Sequence, residues 1–113
     1  MDNIEGQMTE LINSFPNKEI KKNEEAGITY FMIPAINLPD TCSPRVVDVL
    51  LCPTQRDGYP SRLFFSEKVV SKTNRNWNTD AVILARQWHA FSWKLTVNDT
   101  LLKMVLGHLQ ALG

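Results

Sequence analysis

The chain has 113 residues, the size of one domain, and 43% of them are hydrophobic, enough to build a packed core without metal or disulfides. Twelve basic residues against twelve acidic ones leave a formal charge of zero, which argues against a basic nucleic-acid module and against attraction to an anionic membrane. The apolar runs reach only about six residues where ~20 would span a bilayer, and Met1 to Ser14 carries Asp2, Glu5 and Glu10 in place of a basic and apolar leader, so the sequence predicts a cytoplasmic protein with two reduced thiols, Cys42 and Cys52.

Ile4, Met8, Leu11, Ile12 and Phe15 recur at helical spacing between a cap at Asp2 or Asn3 and a stop at Pro16, so the first element is an amphipathic helix. Asn17 to Gly27 is charged, nearly devoid of apolar residues and closed by glycine, which reads as a solvated connection. Ile28 to Ile33 follows as a strand, rich in β-branched and aromatic residues, and Pro34, Pro39 and Pro44 punctuate the path to the next one. That second strand is Val46 to Cys52, interrupted by Asp48 and ended by Pro53. An Asp-Gly turn signal lies between Gln55 and Pro60, and Leu63 to Phe65 forms a third strand. Ser71 to Asp80 is polar and irregular, Ala81 to Leu84 reads as a short strand, and the residues from there to Trp93 fit strand or helix equally. Leu101, Leu102, Val105, Leu109 and Leu112 make one apolar stripe of a last helix over Asn98 to Leu112, with Thr96 or Asn98 to cap it and Gly107 lowering its helicity. Helix, antiparallel strands, irregular segment and helix together give an α+β fold class.

An N-terminal helix, a meander, an apolar strand closed by Pro53, the pair Tyr59-Pro60, a polar loop bearing Asn74, Asn76 and Asn78, and Trp93 before a Leu-rich helix stand in one order. That order resembles the ubiquitin-conjugating-enzyme fold. More particularly, the stretch Trp88 to Ser92 and the helix start Asp99-Thr100-Leu101 are similar to those of a bacterial branch of conjugating-enzyme-like proteins, found beside ubiquitin-like modifiers and an activating enzyme. The resemblance covers about residues 3 to 112 and implies one domain over 1–113. It implies a transferase that accepts a ubiquitin-like modifier from an activating enzyme and passes it to an amine of a target protein. The chain has no glycine-rich phosphate loop, so ATP would be handled by the activating enzyme, and no cofactor, nucleic acid or membrane is expected as a partner.

The chain departs from that family at the nucleophile. Counting back eight residues from Trp93, where the family carries its cysteine, reaches Ala85, and residues 53 to 113 contain no cysteine. A serine hydroxyl holds an acyl group as an oxyester once a neighbour removes its proton, and histidine is the usual neighbour near pH 7. Ser92 is therefore the candidate nucleophile and His89, three residues before it, the candidate base; the bland alternative is a turn hydroxyl and a half-buried ring. Ser66 and Ser71 are weaker candidates. Cys52 reads as a small buried thiol, whereas Cys42, in the loop Leu38 to Pro44, is expected to be more exposed, with only Arg45 nearby to lower its pKa. By the resemblance, an asparagine of the polar loop supports the oxyanion of an attacked carbonyl; Asn76 and Asn78 share that candidacy, against plain turn chemistry. By the resemblance, Asp99 orients or deprotonates the incoming amine; the alternative is a carboxylate that simply complements the dipole at the helix start. Trp77, Trp88 and Trp93 read as core or rim anchors, and His108 as decoration on a helix face. No His and carboxylate groups have metal-ligand spacing. The second functional reading is a module of the same fold that binds the modifier or the activating enzyme without chemistry of its own.

Overall fold

A computed structural model describes residues 4–54, 56, 58–71, 75–95 and 100–112. Helix α1 (Ile4–Ser14) leads into β1 (Lys21–Glu25), β2 (Ile28–Asn37), β3 (Val46–Cys52), β4 (Arg62–Phe65), β5 (Thr79–Ile83) and β6 (Arg86–Ala90), and α2 (Leu101–Leu112) closes the order. The strands form one antiparallel sheet in the order β1-β2-β3-β4-β6-β5. The α+β expectation holds, with a helix at either end of the strand series.

The sheet has two buried faces, and the period of two along β4 divides its side chains between them. Leu63 and Phe65 join the core beneath the helices, where Leu11 of α1 meets Leu101, Met104 and Val105 of α2. Phe64 turns the other way, into a second cluster with Tyr30, Leu50, Cys52, Ile83 and Trp88. This second cluster lies inside a curl of the sheet, because Glu25 at the end of β1 reaches Leu84 beyond β5, accepting its amide at 2.9 Å. No helix among the described residues is long and apolar enough to cross a membrane.

Three expectations about elements change. The charged stretch after α1 contains strand β1, which pairs fully with β2 from Lys21↔Met32 to Glu25↔Ile28. Its five residues are all exposed, so backbone pairing and the tight turn at Ala26-Gly27, both with positive φ, make a strand that hydrophobic patterning does not announce. Secondly, β2 does not stop at Pro34. Pro34 and Ala35 together stand opposite Asp48 in a bulge between the pairs Ile33↔Val49 and Ile36↔Val47, where a missing N–H costs no ladder bond. Ala35 takes φ +53°, and its displaced groups find side-chain partners: its amide donates to Asp48 Oδ1 at 2.7 Å and its carbonyl accepts from Lys18 Nζ at 2.6 Å. Thirdly, the ambiguous stretch after Ala81 is the hairpin β5–β6, turned by Leu84 and Ala85 at φ +54° and +62°.

Smaller features follow the same logic. The strand at Val46 to Cys52 stands as read. Helix α2 starts at Leu101, capped by the Thr100 hydroxyl, which accepts the Lys103 amide at 3.2 Å; the cap candidates Asp2, Asn3, Thr96 and Asn98 lie outside the described residues. Gly107 faces Leu95, and a Cβ there would stand 3.0 Å from the Leu95 Cδ2, so the glycine gives this side chain room against the helix. Trp88 is in the inner cluster, and Trp77 sits edge-on to Phe65 and Phe91 with ring centroids 5.5 and 5.2 Å away. Trp93 packs beside the helix-side core under the guanidinium of Arg75.

Candidate functional site

Two of the candidates, Asn78 and Ser92, meet where β4 and β5 begin and β6 ends, because antiparallel pairing brings these three strand termini to one end of the sheet. Thr79 opens β5 opposite Ala90, which closes β6. Tyr59 enters from a turn in which it exchanges both backbone hydrogen bonds with Arg56 at 2.9 Å, and Gly58 supplies the φ of +86° that the turn needs. Asn78 precedes β5, and Ser92 follows Phe91 out of β6.

The Ser92 hydroxyl lies 2.9 Å from the Tyr59 phenol oxygen. Asn78 Nδ2 donates to that same oxygen at 3.2 Å, while Asn78 Oδ1 accepts from the Arg62 guanidinium at 2.9 Å. Arg62 also donates to the Thr79 hydroxyl at 2.8 Å and to the Phe91 carbonyl at 3.1 Å, and its guanidinium lies 4.3 Å from the centroid of the Tyr59 ring. At 1% exposure this arginine is a buried cation laid under a polar cluster in which Tyr59 and Ser92 are half-buried and Asn78 is exposed. Hydrogen bonds from Ser92 and Asn78, helped by the charges of Arg62 and Lys94, favour the phenolate and hold the Tyr59 hydroxyl below its ordinary pKa. One oxygen thus has two settings: donating to Ser92 while accepting from Asn78, or accepting from both.

The other candidates are placed separately. His89 Nδ1 meets Asp80 Oδ1 at 2.6 Å across the β5–β6 hairpin, and Lys68 stands 3.8 Å from the same carboxylate oxygen. The His89 bond, then the Lys68 charge, keep the Asp80 carboxyl below the usual carboxylate range. Among the described residues His89 makes no hydrogen bond to Ser92; it lies on the strand face opposite Trp88 and Ala90. Asn76 is exposed and meets the serine through its backbone, its carbonyl accepting the Ser92 amide at 2.7 Å. Asn74 and Asp99 lie outside the described residues. Ala85, the position that the resemblance gives to the nucleophile, is in the β5–β6 turn, at the opposite end of β6 from Ser92.

Two readings of single residues are corrected. Cys42 is buried at 3% exposure, not presented by its loop: its amide donates to Pro39, Ser43 bridges to Val70, and the thiol is folded into the helix-side core. Cys52 is buried as expected, at 0%. His108 is buried at 3% exposure instead of decorating α2, with Nε2 at 3.1 Å from the hydroxyl of the equally hidden Ser61. Burial, and then the charge of Arg62, push this imidazole down to a pKa of about 4.

Arg62 and Asp80 are the residues that sequence reading does not single out, and Tyr59 enters it only within the Tyr59-Pro60 pair, without a role of its own. A lone arginine opening the otherwise apolar run Arg62-Leu63-Phe64-Phe65 is the available signal for a buried cation. A two-residue turn at 84–85, once recognised, makes Asp80 and His89 cross-strand partners. A separate cleft of about 140 Å³, lined by Asn23, Met32, Leu84, Arg86 and Trp88, opens at the turn end of β6 and includes none of the candidates. No group of three metal-ligating side chains occurs among the described residues. No known protein family, curated protein or solved structure matches the chain.

Proposed function

We propose that the domain is a ubiquitin-conjugating-enzyme-like carrier that receives a ubiquitin-like protein from an activating enzyme as an oxyester on Ser92 and passes it to an amine. The reading rests on the Ser92 hydroxyl lying 2.9 Å from a phenol whose ionised form is favoured by its surroundings, while both thiols of the chain are buried. In the loading step Ser92 Oγ attacks the thioester carbonyl, the Tyr59 oxygen takes the serine proton as its own proton leaves to solvent, the C–O bond forms, and the C–S bond breaks to release the partner's thiolate. In the transfer step the amine attacks the ester, a C–N bond replaces the C–O bond, the proton given up by the amine nitrogen passes to solvent, and the serine oxygen recovers a proton through the Tyr59 hydroxyl. The proton-accepting role assigned to His89 by spacing thus falls to Tyr59. Asn78 is the better of the two asparagine candidates for the oxyanion, since its amide already points into the cluster. Asp99 keeps the proposed role of orienting the amine.

The second reading, a conjugating-fold module that binds modifier or activating enzyme without chemistry, is favoured by the engagement of His89 with Asp80 rather than with the serine. One experiment separates the two. The protein is mixed with a modifier, activating enzyme and ATP, and products are resolved with and without thiol reductant. A reductant-resistant, hydroxylamine-labile adduct that vanishes in Ser92→Ala and persists in Cys42→Ala and Cys52→Ala supports the carrier. A stoichiometric complex with no covalent product supports the module.

A further inference from the structure

The two edges of the sheet are unlike. β1 carries Lys21, Lys22, Asn23, Glu24 and Glu25, a charged run of the kind that discourages another strand from pairing. β5 reads Thr79-Asp80-Ala81-Val82-Ile83, with β-branched residues in three of five places and Val82 72% exposed. The hairpin geometry then fixes which backbone groups of β5 face outward. A two-residue turn at Leu84-Ala85 makes Ile83↔Arg86 a hydrogen-bonded pair, and alternation makes Ala81↔Trp88 and Thr79↔Ala90 hydrogen-bonded as well. The N–H and C=O groups of Asp80 and Val82 are therefore left on the free side, and they have no partner among the described residues.

From this edge, and resting on the carrier reading, we infer that the C-terminal tail of the ubiquitin-like modifier adds to β5 as a seventh, antiparallel strand that delivers its carboxyl end to Ser92. Direction is the core of the inference. β5 runs from Thr79 to Ile83, so an antiparallel partner runs from Ile83 towards Thr79 and finishes beside Asn78, Tyr59 and Ser92. A parallel partner would end at the turn, away from the cluster. The charge at the delivery end also suits the oxyanion that forms when the tail's thioester carbonyl is attacked, since Arg62 and exposed Lys94 act on the same cluster. The added strand would lie two strand spacings, roughly 10 Å, from the line of β6. About three residues beyond the paired segment span that offset, so the tail needs a short run free of bulky side chains at its end. Strand addition of this kind draws its affinity from main-chain hydrogen bonds, and the side chains at alternate positions set the preference.

The test uses the intact protein labelled for amide NMR and a synthetic octapeptide, Thr-Val-Thr-Val-Thr-Val-Gly-Gly, with a free C-terminal carboxylate. The expected result is that the amides of Asp80 and Val82 shift and become protected from exchange while those of 21–25 do not. Amidation of the peptide carboxylate, which mimics the uncharged acyl end that the carrier receives, should leave binding within a factor of about two, because the affinity comes from main-chain hydrogen bonds. Val82→Pro removes one outward donor without touching the β5–β6 ladder and should weaken binding about tenfold. Should that variant misfold, two peptides N-methylated one residue apart answer on the unmodified protein: only one of the pair should lose affinity. Shifts centred on β1, or equal binding by both N-methylated peptides, overturn the docking. Failure of the docking and of the carrier reading stay distinguishable in the activating-enzyme assay. A Ser92 adduct whose rate is indifferent to Val82→Pro overturns the docking and leaves the carrier standing. Octapeptide shifts on β5 with no adduct overturn the carrier and leave the docking standing.

Discussion

Asp48 and Arg86, 38 residues apart, close a 2.8 Å ion pair across the sheet while the other oxygen of Asp48 holds the Ala35 amide at 2.7 Å. One carboxylate thus ties the bulge of β2 to the start of β6. Desolvation raises its pKa, but the Ala35 amide and the Arg86 guanidinium together outweigh that and hold the carboxyl below its usual range. Replacing Asp48 with alanine should cost about 2 kcal/mol, because it leaves a displaced backbone donor without its acceptor. Arg86→Ala, at a more exposed position, should cost under about 1 kcal/mol. Chemical denaturation of the two variants checks the ordering. Since the folded pKa is depressed, the contribution of Asp48 is present above the ordinary carboxylate pKa and is lost as pH falls through the folded value.

His108 gives a second, separate pH dependence. Its folded pKa of about 4 lies below the ordinary imidazole value, so the unfolded chain binds a proton that the native state refuses. The stabilising effect of keeping it neutral is complete above the unfolded pKa and declines as pH falls from there to about 4. Between pH 7 and pH 5 the protein should lose about 2 kcal/mol through this group. Denaturation curves at the two pH values, repeated with His108→Gln, should show that the difference shrinks in the variant.

The phenol at Tyr59 carries the proposed chemistry, and its removal should be mild for the fold. Tyr59→Phe keeps the ring against Arg62 and deletes only the oxygen shared by Ser92 and Asn78. Stability should fall by about 1 kcal/mol, while the loading rate of the oxyester should fall at least tenfold. His89→Ala, by contrast, should leave loading within a factor of about two, because His89 is engaged with Asp80, whereas loss of a true general base costs roughly 10²–10⁴. Single-turnover loading of both variants would reverse this assignment if His89→Ala were the slower.

The β5–β6 turn is built from residues ill suited to it. Leu84 and Ala85 both hold positive φ, a conformation that costs a side-chain-bearing residue about 1 kcal/mol. Ala85→Gly should therefore raise stability by about 1 kcal/mol, read as a higher melting temperature, with no change in loading because the turn lies at the far end of β6 from Ser92.

How much of this was legible in the sequence depended on what each signal encodes. Periodic burial was readable: α1, β3 and α2 follow from Leu11, the apolar run Val46 to Cys52 and the Leu101 to Leu112 stripe. Backbone-driven structure was not. β1 is charged or polar throughout and is held chiefly by its pairing with β2, and β2 passes Pro34 because Asp48 and Lys18 serve the displaced groups of Ala35 from distant points of the chain. The candidate site was half visible. Ser92, Asn78 and the Tyr59-Pro60 pair were named from order and spacing, but their meeting depends on strand ends that become neighbours only when β4, β5 and β6 assemble. Cys42 and His108 misled because a Pro-rich loop and a polar helix residue are usually outside, whereas here local bonds to Pro39 and Ser61 make burial tolerable.

The unlikeness of the two sheet margins carries a consequence for self-association. Copies growing into a filament would have to set the Thr79–Ile83 margin of one molecule against the Lys21–Glu25 margin of the next, a head-to-tail contact that repeats without closing. The charges of the second margin discourage that contact, so open-ended growth through the pair of margins is disfavoured. A sheet finished in this way has one margin built against pairing and one suited to it.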